Sequence, residues 1–185
     1  MTSRSFQPGT GKLFGVSDIN DELVTIDTAT GAGTVVGSLG ISFEDSGLAF
    51  DGSGNLLLAT PDNFYSVDPG TGAATLIGSL GQGVTGLSSQ GGTVYGLGGN
   101  NSDNLVTINT RTGTAISVGD LINISLDDGG VDFDPIGTLW GLEDQGNIFT
   151  INLGTGEATL VSTTLVGFES LAIVPEPGSV WLLAS

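Results

Sequence analysis

The chain of 185 residues contains no cysteine and no histidine, and only 3 of its residues are lysine or arginine. Without these side chains neither a Ser-His-Asp nor a Cys-His catalytic system can form, and a zinc site with cysteine or histidine ligands is excluded as well. Carboxylate, carbonyl and hydroxyl oxygens remain as ligands, and these suit hard cations such as calcium.

Acidic residues dominate the charge, because 20 Asp and Glu side chains give a net charge of −17. Such a field repels nucleic acids and anionic membrane surfaces, so we expect neither as a partner. Hydrophobic residues make up 38% of the chain and recur periodically, which indicates a folded domain. The first residues lack the apolar segment of a signal peptide, so either the chain is not exported or its signal lies outside this sequence.

The dipeptide Thr-Gly recurs at Thr30, Thr71, Thr112 and Thr155, at intervals of 41, 41 and 43 residues. A period of about 40–45 residues with short apolar runs is typical of β-propeller blades. Each repeat divides into four apolar runs separated by turn residues, which predicts an all-β protein, a β-propeller of four blades with four antiparallel strands each. We expect an N-terminal extension over residues 1–11, the propeller over residues 12–174 and a tail over residues 175–185.

The third run of every repeat ends in Asp or Asn, at Asp27, Asp68, Asn109 and Asn152. These side chains are predicted to close a turn by accepting backbone N–H groups, with the glycine of Thr-Gly in the left-handed region. Calcium binding is the alternative role for these turns. The interchange of Asp and Asn favours the structural role.

A large side chain occupies the third position of the second run in every repeat, as Phe14, Leu57, Tyr95 and Trp140. A position that repeats in every blade is predicted to pack between neighbouring blades. Stacking on a sugar is the alternative for Tyr95 or Trp140.

The phase of the repeat predicts how the ring closes. The first blade begins with the second of the four apolar runs of a repeat. The last apolar run of the chain, Ser170–Val174, corresponds to the first run of a repeat. We therefore predict that Ser170–Val174 pairs with Leu13–Val16 and closes the first blade, which would hide a sheet edge. The alternative is half of a larger, eight-bladed propeller.

Near the C-terminus, Val174, Pro175, Glu176 and Pro177 precede an apolar run over residues 180–184. This segment resembles the PEP-CTERM sorting signal of exported bacterial proteins, and the Ile-Asp-x-x-Thr-Gly repeats resemble the propeller repeats often found before such tails. The resemblance implies export, processing by an exosortase-type enzyme, and delivery to the cell surface or a polysaccharide matrix. The apolar span is shorter than in that family and no basic tail follows it, so we expect a piece of a longer product. A stiff linker is the alternative.

Acidic residues cluster just before the first run of several blades, as Glu44, Asp45, Asp127, Asp128 and Glu169. In a four-bladed ring Asp45 and Asp128 would face each other across the axis, where like charges favour a bound cation. We predict a calcium site formed by these five residues. The alternative is a solvated acidic rim.

The missing catalytic residue types and the acidic surface favour a non-enzymatic surface or matrix protein, a rigid module that binds polymer, cation or another protein. One alternative is a carboxylate-based hydrolase or lactonase at the channel mouth. Another is self-assembly into fibres or sheets through the fourth strands.

Overall fold

The computed structural model describes residues 3–99, 102–167 and 170–173, and within them it contains sixteen β-strands and no helix. The strands form four antiparallel sheets of four strands each, every sheet in chain order. The first two blades comprise β1 (Ser3–Phe6), β2 (Leu13–Ser17), β3 (Glu22–Ile26), β4 (Gly33–Ser38), β5 (Gly47–Phe50), β6 (Leu56–Ala59), β7 (Asn63–Val67) and β8 (Ala74–Ser79). The other two comprise β9 (Gly86–Gln90), β10 (Thr93–Gly98), β11 (Asn104–Ile108), β12 (Ala115–Asp120), β13 (Gly129–Phe133), β14 (Leu139–Glu143), β15 (Asn147–Ile151) and β16 (Ala158–Thr163).

The blades lie in a ring around a common axis, so the predicted four-bladed β-propeller is confirmed. The first strands of successive blades contact one another, β1 with β5, β5 with β9 and β9 with β13. The pairing of third and fourth strands shifts register at the same place in every blade. This repeated irregularity bends the outer strand and increases the local twist of each sheet.

The Thr-Gly turns have the predicted structural role. Asp27 Oδ1 accepts the N–H of Thr30 at 2.8 Å, and Asn152 Oδ1 accepts the N–H of Gly154 at 2.9 Å. The turn glycine Gly31 has a φ of 75°, a conformation that glycine adopts without strain. Asp and Asn therefore serve equally well here, because each supplies one acceptor oxygen to the turn.

Three of the four blade boundaries are sealed by hydrophobic clusters, which together form the core. Three of the four large second-strand side chains take part as predicted: the Phe14 ring lies 5.5 Å from that of Phe50 and the Tyr95 ring 5.6 Å from that of Phe133, both centroid to centroid. The fourth, Trp140, belongs to none of the three clusters and donates its indole N–H to Asp134 Oδ2 at 2.9 Å. Leu57 is buried in the cluster between the second and third blades. No comparable cluster of described residues joins the fourth blade to the first.

The predicted closing strand is wrong. The inner strand of the first blade is β1, which pairs with β2 so that Ser3 lies opposite Val16 and Phe6 opposite Leu13. β1 belongs to the segment that we took for an extension, because its polar sequence carries no repeat signature. Residues 170–173 lie beside β13 instead and have no strand assignment, while Val174 lies outside the described residues.

Candidate functional site

A narrow channel runs between the inner strands, lined by residues of every blade and of the segment 170–173: Ser3, Arg4, Leu48, Thr85, Gly86, Leu87, Gly130, Val131, Ser170 and Leu171. The cavity between them is about 10 Å³, which is room for roughly one water molecule. Glycine permits this close approach, since a Cβ on Gly47 would lie 2.6 Å from the backbone nitrogen of Leu87. The cavity is too small for an organic ligand.

Two hydroxyl groups at this cavity, Oγ1 of Thr85 and Oγ of Ser170, are buried and have no hydrogen-bond partner among the described residues. An unpaired buried hydroxyl costs roughly 1–3 kcal/mol. The cavity therefore suits one small polar molecule as a hydrogen-bond partner for these groups.

Negative charge is concentrated at one end of the ring, which we call the acidic end. It carries the turns between second and third strands and the connections between blades, which lie together because neighbouring strands are antiparallel. Twelve of the eighteen acidic residues in the described part of the chain lie there: Asp18, Asp21, Glu22, Glu44, Asp45, Asp62, Asp103, Asp120, Asp127, Asp128, Glu143 and Asp144. Of the three basic residues, Lys12 and Arg111 lie at the opposite end and Arg4 lies on β1.

Four of the five predicted metal ligands lie at the acidic end. Glu44 and Asp45 precede β5, and Asp127 and Asp128 precede β13, so the two pairs belong to the second and fourth blades. Glu169 lies outside the described residues. Within the described residues, no group of three or more acidic side chains is placed to hold a metal ion together.

Asp45 at this end has a perturbed carboxyl group. Its partial burial raises its pKa, and the nearby charges of Glu44 and Asp18 raise it further. Asp128 Oδ1 accepts the backbone N–H of Gly129 at 2.7 Å. The acidic end thus presents a half-buried carboxylate among other acids, which a cation or a basic surface would stabilise.

The opposite end holds a groove of about 240 Å³, lined by Ser5, Phe6, Pro8, Ala49, Phe50, Asp51, Gly52, Ser88, Ser89, Asp132, Phe133 and Ile173. Small-molecule sites typically measure about 300–1,000 Å³. The groove therefore fits only a very small ligand or the end of a chain.

Asp132 in this groove was not recognised from the sequence. Its Oδ1 accepts the hydroxyl of Ser88 at 2.9 Å and the N–H of Phe133 at 2.9 Å, and its Oδ2 accepts the N–H of Ile173 at 2.7 Å. Burial raises the pKa of Asp132, and these hydrogen bonds partly oppose that effect. The carboxylate therefore connects the third blade, the fourth blade and the segment 170–173.

Among the described residues, no helix is long and apolar enough to cross a membrane.

No protein-family model matches the chain, and no curated protein matches it significantly. Many solved structures share its fold. An auxiliary nutrient binding protein from Bacteroides ovatus has a TM-score of 0.64 at 13% identity, with 89% of this chain and 42% of that one aligned. A chain of a nidogen–laminin complex has a TM-score of 0.66 at 12% identity, over 89% of this chain and 65% of that one. Hydrazine synthase from Kuenenia stuttgartiensis has a TM-score of 0.59 at 18% identity, over 86% of this chain and 49% of that one. The chain thus spans between about 40% and 65% of the length of such structures, and the likeness shows a propeller fold.

Proposed function

We propose that this protein is a non-enzymatic binding or scaffold module that works outside the cell, with the acidic end as its contact surface. The observation that carries the proposal is the one-sided charge: the acidic end gathers most of the described carboxylates and none of the three basic side chains. Such a field attracts cations and basic surfaces, and acts over about 8–10 Å at physiological ionic strength.

The narrow channel supports contact at a surface, because it leaves room for no more than a water-sized molecule. Structures of similar fold include proteins named for nutrient binding and a chain of a nidogen–laminin complex. These names describe binding and assembly, which agrees with a module of this kind.

The extracellular location rests on the resemblance of Val174, Pro175, Glu176 and Pro177 to a sorting signal. These residues lie outside the described part of the chain. On this proposal an exosortase-type enzyme processes the precursor, and the partner is a matrix polysaccharide or another surface protein.

Calcium is the ion that we propose for the acidic end, with Asp45 and Asp128 as the principal ligands and Glu44, Asp127 and Glu169 as further ones. An ion there would relieve the repulsion that Asp45 experiences from its acidic neighbours. Calcium takes about six to eight oxygen ligands, and no group of three or more described acidic side chains is placed to hold an ion by itself. Water or an acidic polysaccharide would complete the shell, so that calcium would bridge the module to an anionic polymer.

Exposed apolar side chains on the outer strands support the alternative of self-assembly. The outer strand of every blade exposes at least one large apolar side chain, and Val35, Leu76, Ile116 and Leu160 are each more than half exposed. An apolar contact around the circumference would associate rings side by side. If rings associate in this way, the sedimentation coefficient should increase with protein concentration. The double variant Leu76→Lys with Ile116→Lys should abolish that increase.

Melting curves test the calcium proposal. A ligand that binds only the folded state stabilises it by about 2.7 kcal/mol at a hundred times its dissociation constant, which for a chain of this size is roughly 5–10 °C in melting temperature. We expect calcium to give such a rise beyond that of sodium chloride at equal ionic strength, and Asp45→Asn with Asp128→Asn to remove the excess.

The control is Asp27→Asn with Asp68→Asn, which changes the charge equally at the opposite end. Asn already makes the same turn in the third and fourth blades, so this variant should fold and keep the calcium effect. Equal effects of calcium and sodium, or equal losses in the two double variants, would show general screening of an acidic protein.

A further inference from the structure

The groove opposite the acidic end is formed by all four inner strands together with the segment 170–173. One position of the inner strand lines it in every blade, occupied by Ser5, Ala49, Ser88 and Asp132. These positions are equivalent, because each residue pairs with the large side chain at the third position of the second strand. Three blades thus place a small side chain at this mouth of the channel, and the fourth blade places a carboxylate.

A propeller blade does not require a carboxylate at this position, since the other three blades form without one. Asp51, the second acidic residue in the groove, is different. Its Oδ1 accepts the N–H groups of Ser53 at 2.9 Å and Asn55 at 2.8 Å, which closes the turn after β5. Asp134 closes the equivalent turn after β13. Asp51 is therefore a repeated turn residue, whereas Asp132 is specific to the fourth blade.

Asp132 keeps one acceptor site for a ligand. A carboxylate offers about four lone-pair sites, two on each oxygen. Among the described residues, Oδ1 accepts two hydrogen bonds, from Ser88 and Phe133, and Oδ2 accepts one, from Ile173. Asp132 lines the groove and is partly exposed. A ligand in the groove can therefore donate one hydrogen bond to Oδ2.

The charge of Asp132 has no positive neighbour in the groove, because no basic side chain of the described residues lines it. Burial raises the pKa of Asp132, which means that the surroundings disfavour its charged form. A cation beside the carboxylate would oppose this effect. The ligand that suits the groove is therefore a hydrogen-bond donor that carries a positive charge.

Apolar side chains around the carboxylate favour an organic cation over a metal ion. A metal ion such as calcium requires several oxygen ligands, and Asp132 offers one free acceptor site. The apolar lining consists of Phe6, Pro8, Ala49, Phe50, Phe133 and Ile173. Such side chains can pack against the carbon atoms of a ligand. An ammonium group is also attracted to aromatic rings nearby.

Hydrogen bonds between blades hold the walls of the groove in place. The hydroxyl of Ser89 donates to the carbonyl of Phe50 at 2.6 Å, and the N–H of Phe50 donates to Ser5 Oγ at 3.1 Å. The Phe50 ring packs edge-on against Phe14, and the Phe133 ring packs in the same way against Tyr95. A groove formed in advance lowers the cost of ordering side chains when a ligand binds.

We propose that this groove binds a small organic amine, whose ammonium group donates a hydrogen bond to Asp132 Oδ2 while its carbon atoms pack against Phe6 and Phe133. The volume of about 240 Å³ limits the ligand to a small ring or a short chain. This site goes beyond the proposed function, because it lies at the opposite end from the acidic end and does not depend on calcium.

Calorimetric titration of the full chain with cyclohexylamine and with cyclohexanol, at constant ionic strength, tests the proposal. The two probes have nearly the same shape and differ in charge, so we expect saturable binding of the amine at one site and none of the alcohol. Asp132→Asn should weaken amine binding by about tenfold or more, because a charge-assisted hydrogen bond is lost. Asp51→Asn is the matched control in the same groove, and it should weaken binding by less than about fivefold.

Asp132→Asn also disturbs the hydrogen bond from Ile173, so two measurements that keep Asp132 intact accompany it. Phe6→Ala, with its fold verified by circular dichroism, should bind cyclohexylamine several-fold more weakly and methylamine equally well. In the unchanged protein, the carboxyl carbon resonance of Asp132 should shift saturably with the amine.

Three results would overturn the proposal. These are equal affinity for amine and alcohol, equal losses in the two Asp→Asn variants, and an Asp132 resonance that does not move when the amine saturates the protein. Tighter binding of the tripeptide Phe-Gly-Gly than of cyclohexylamine would assign the groove to the N-terminus of a chain and would overturn its assignment to a free amine.

Discussion

Leu80 tests whether the blade boundaries hold the ring together. It is 1% exposed and lies in the cluster between the second and third blades, beside Leu57 and Phe64. Its backbone also joins the two blades, because its carbonyl accepts the N–H of Ala115 at 3.1 Å. Leu80→Ala leaves that bond in place and removes only the buried isopropyl group, so we expect a loss of about 2–5 kcal/mol in the free energy of unfolding.

Urea denaturation followed by circular dichroism measures this loss. With an m-value of about 2–3 kcal/mol/M, the midpoint should fall by roughly 1–2 M. Leu76→Ala is the matched control, since Leu76 lies in β8, the strand that ends just before Leu80, and is 59% exposed, and its effect should stay within about 0.5 kcal/mol. Equal midpoints for the two variants would refute the sealed boundary described here.

Three further predictions concern single positions. In urea melts, Gly78→Ala should destabilise the protein by about 1–3 kcal/mol, because the new methyl group overlaps the turn of the third blade. Gly33→Ala should be neutral or stabilising by up to about 1 kcal/mol, because its methyl group points into open space. The pKa of Asp45 is higher in the folded protein than in the unfolded chain. Its contribution to stability is therefore present below the pKa of the unfolded chain and is lost as the pH rises through the pKa of the folded protein. Asp45→Asn should thus stabilise the protein at neutral pH, but not below the pKa of the unfolded chain. The hydrogen bond from the Trp140 indole N–H lowers the pKa of Asp134, so Trp140→Phe should raise that pKa in a carboxyl NMR titration, and an unchanged titration would contradict this cause.

The architecture could be predicted because a propeller blade is a local structure. Each blade is a meander whose strands pair with their chain neighbours, so the Thr-Gly interval and the apolar runs were sufficient. β1 was missed because Ser3, Arg4 and Ser5 carry no apolar signature, and the strand is held by partners far along the chain. Ser5 Oγ accepts the N–H of Phe50 at 3.1 Å, and the hydroxyl groups of Ser3 and Ser46 lie 3.0 Å apart.

The acidic end could also be predicted from the sequence, because the strands pair with their neighbours along the chain. Once the strands are in order, their alternating direction decides which turns lie together, so the position of Asp45 and Asp128 at one end follows. The environment of Asp132 could not be predicted. Its partners Ser88 and Ile173 are 44 and 41 residues away, and only the packing of the third blade and the segment 170–173 against the fourth blade brings them to its carboxylate.

The central claim is that the acidic end is the contact surface, and an NMR titration with calcium at constant ionic strength tests it most directly. We predict saturable shifts of the amides next to the acidic pairs, at Ser46, Gly47 and Gly129, with little change at the Thr-Gly turns of the opposite end. Shifts spread over both ends without saturation, or confined to the turns at Thr30 and Thr71, would contradict it.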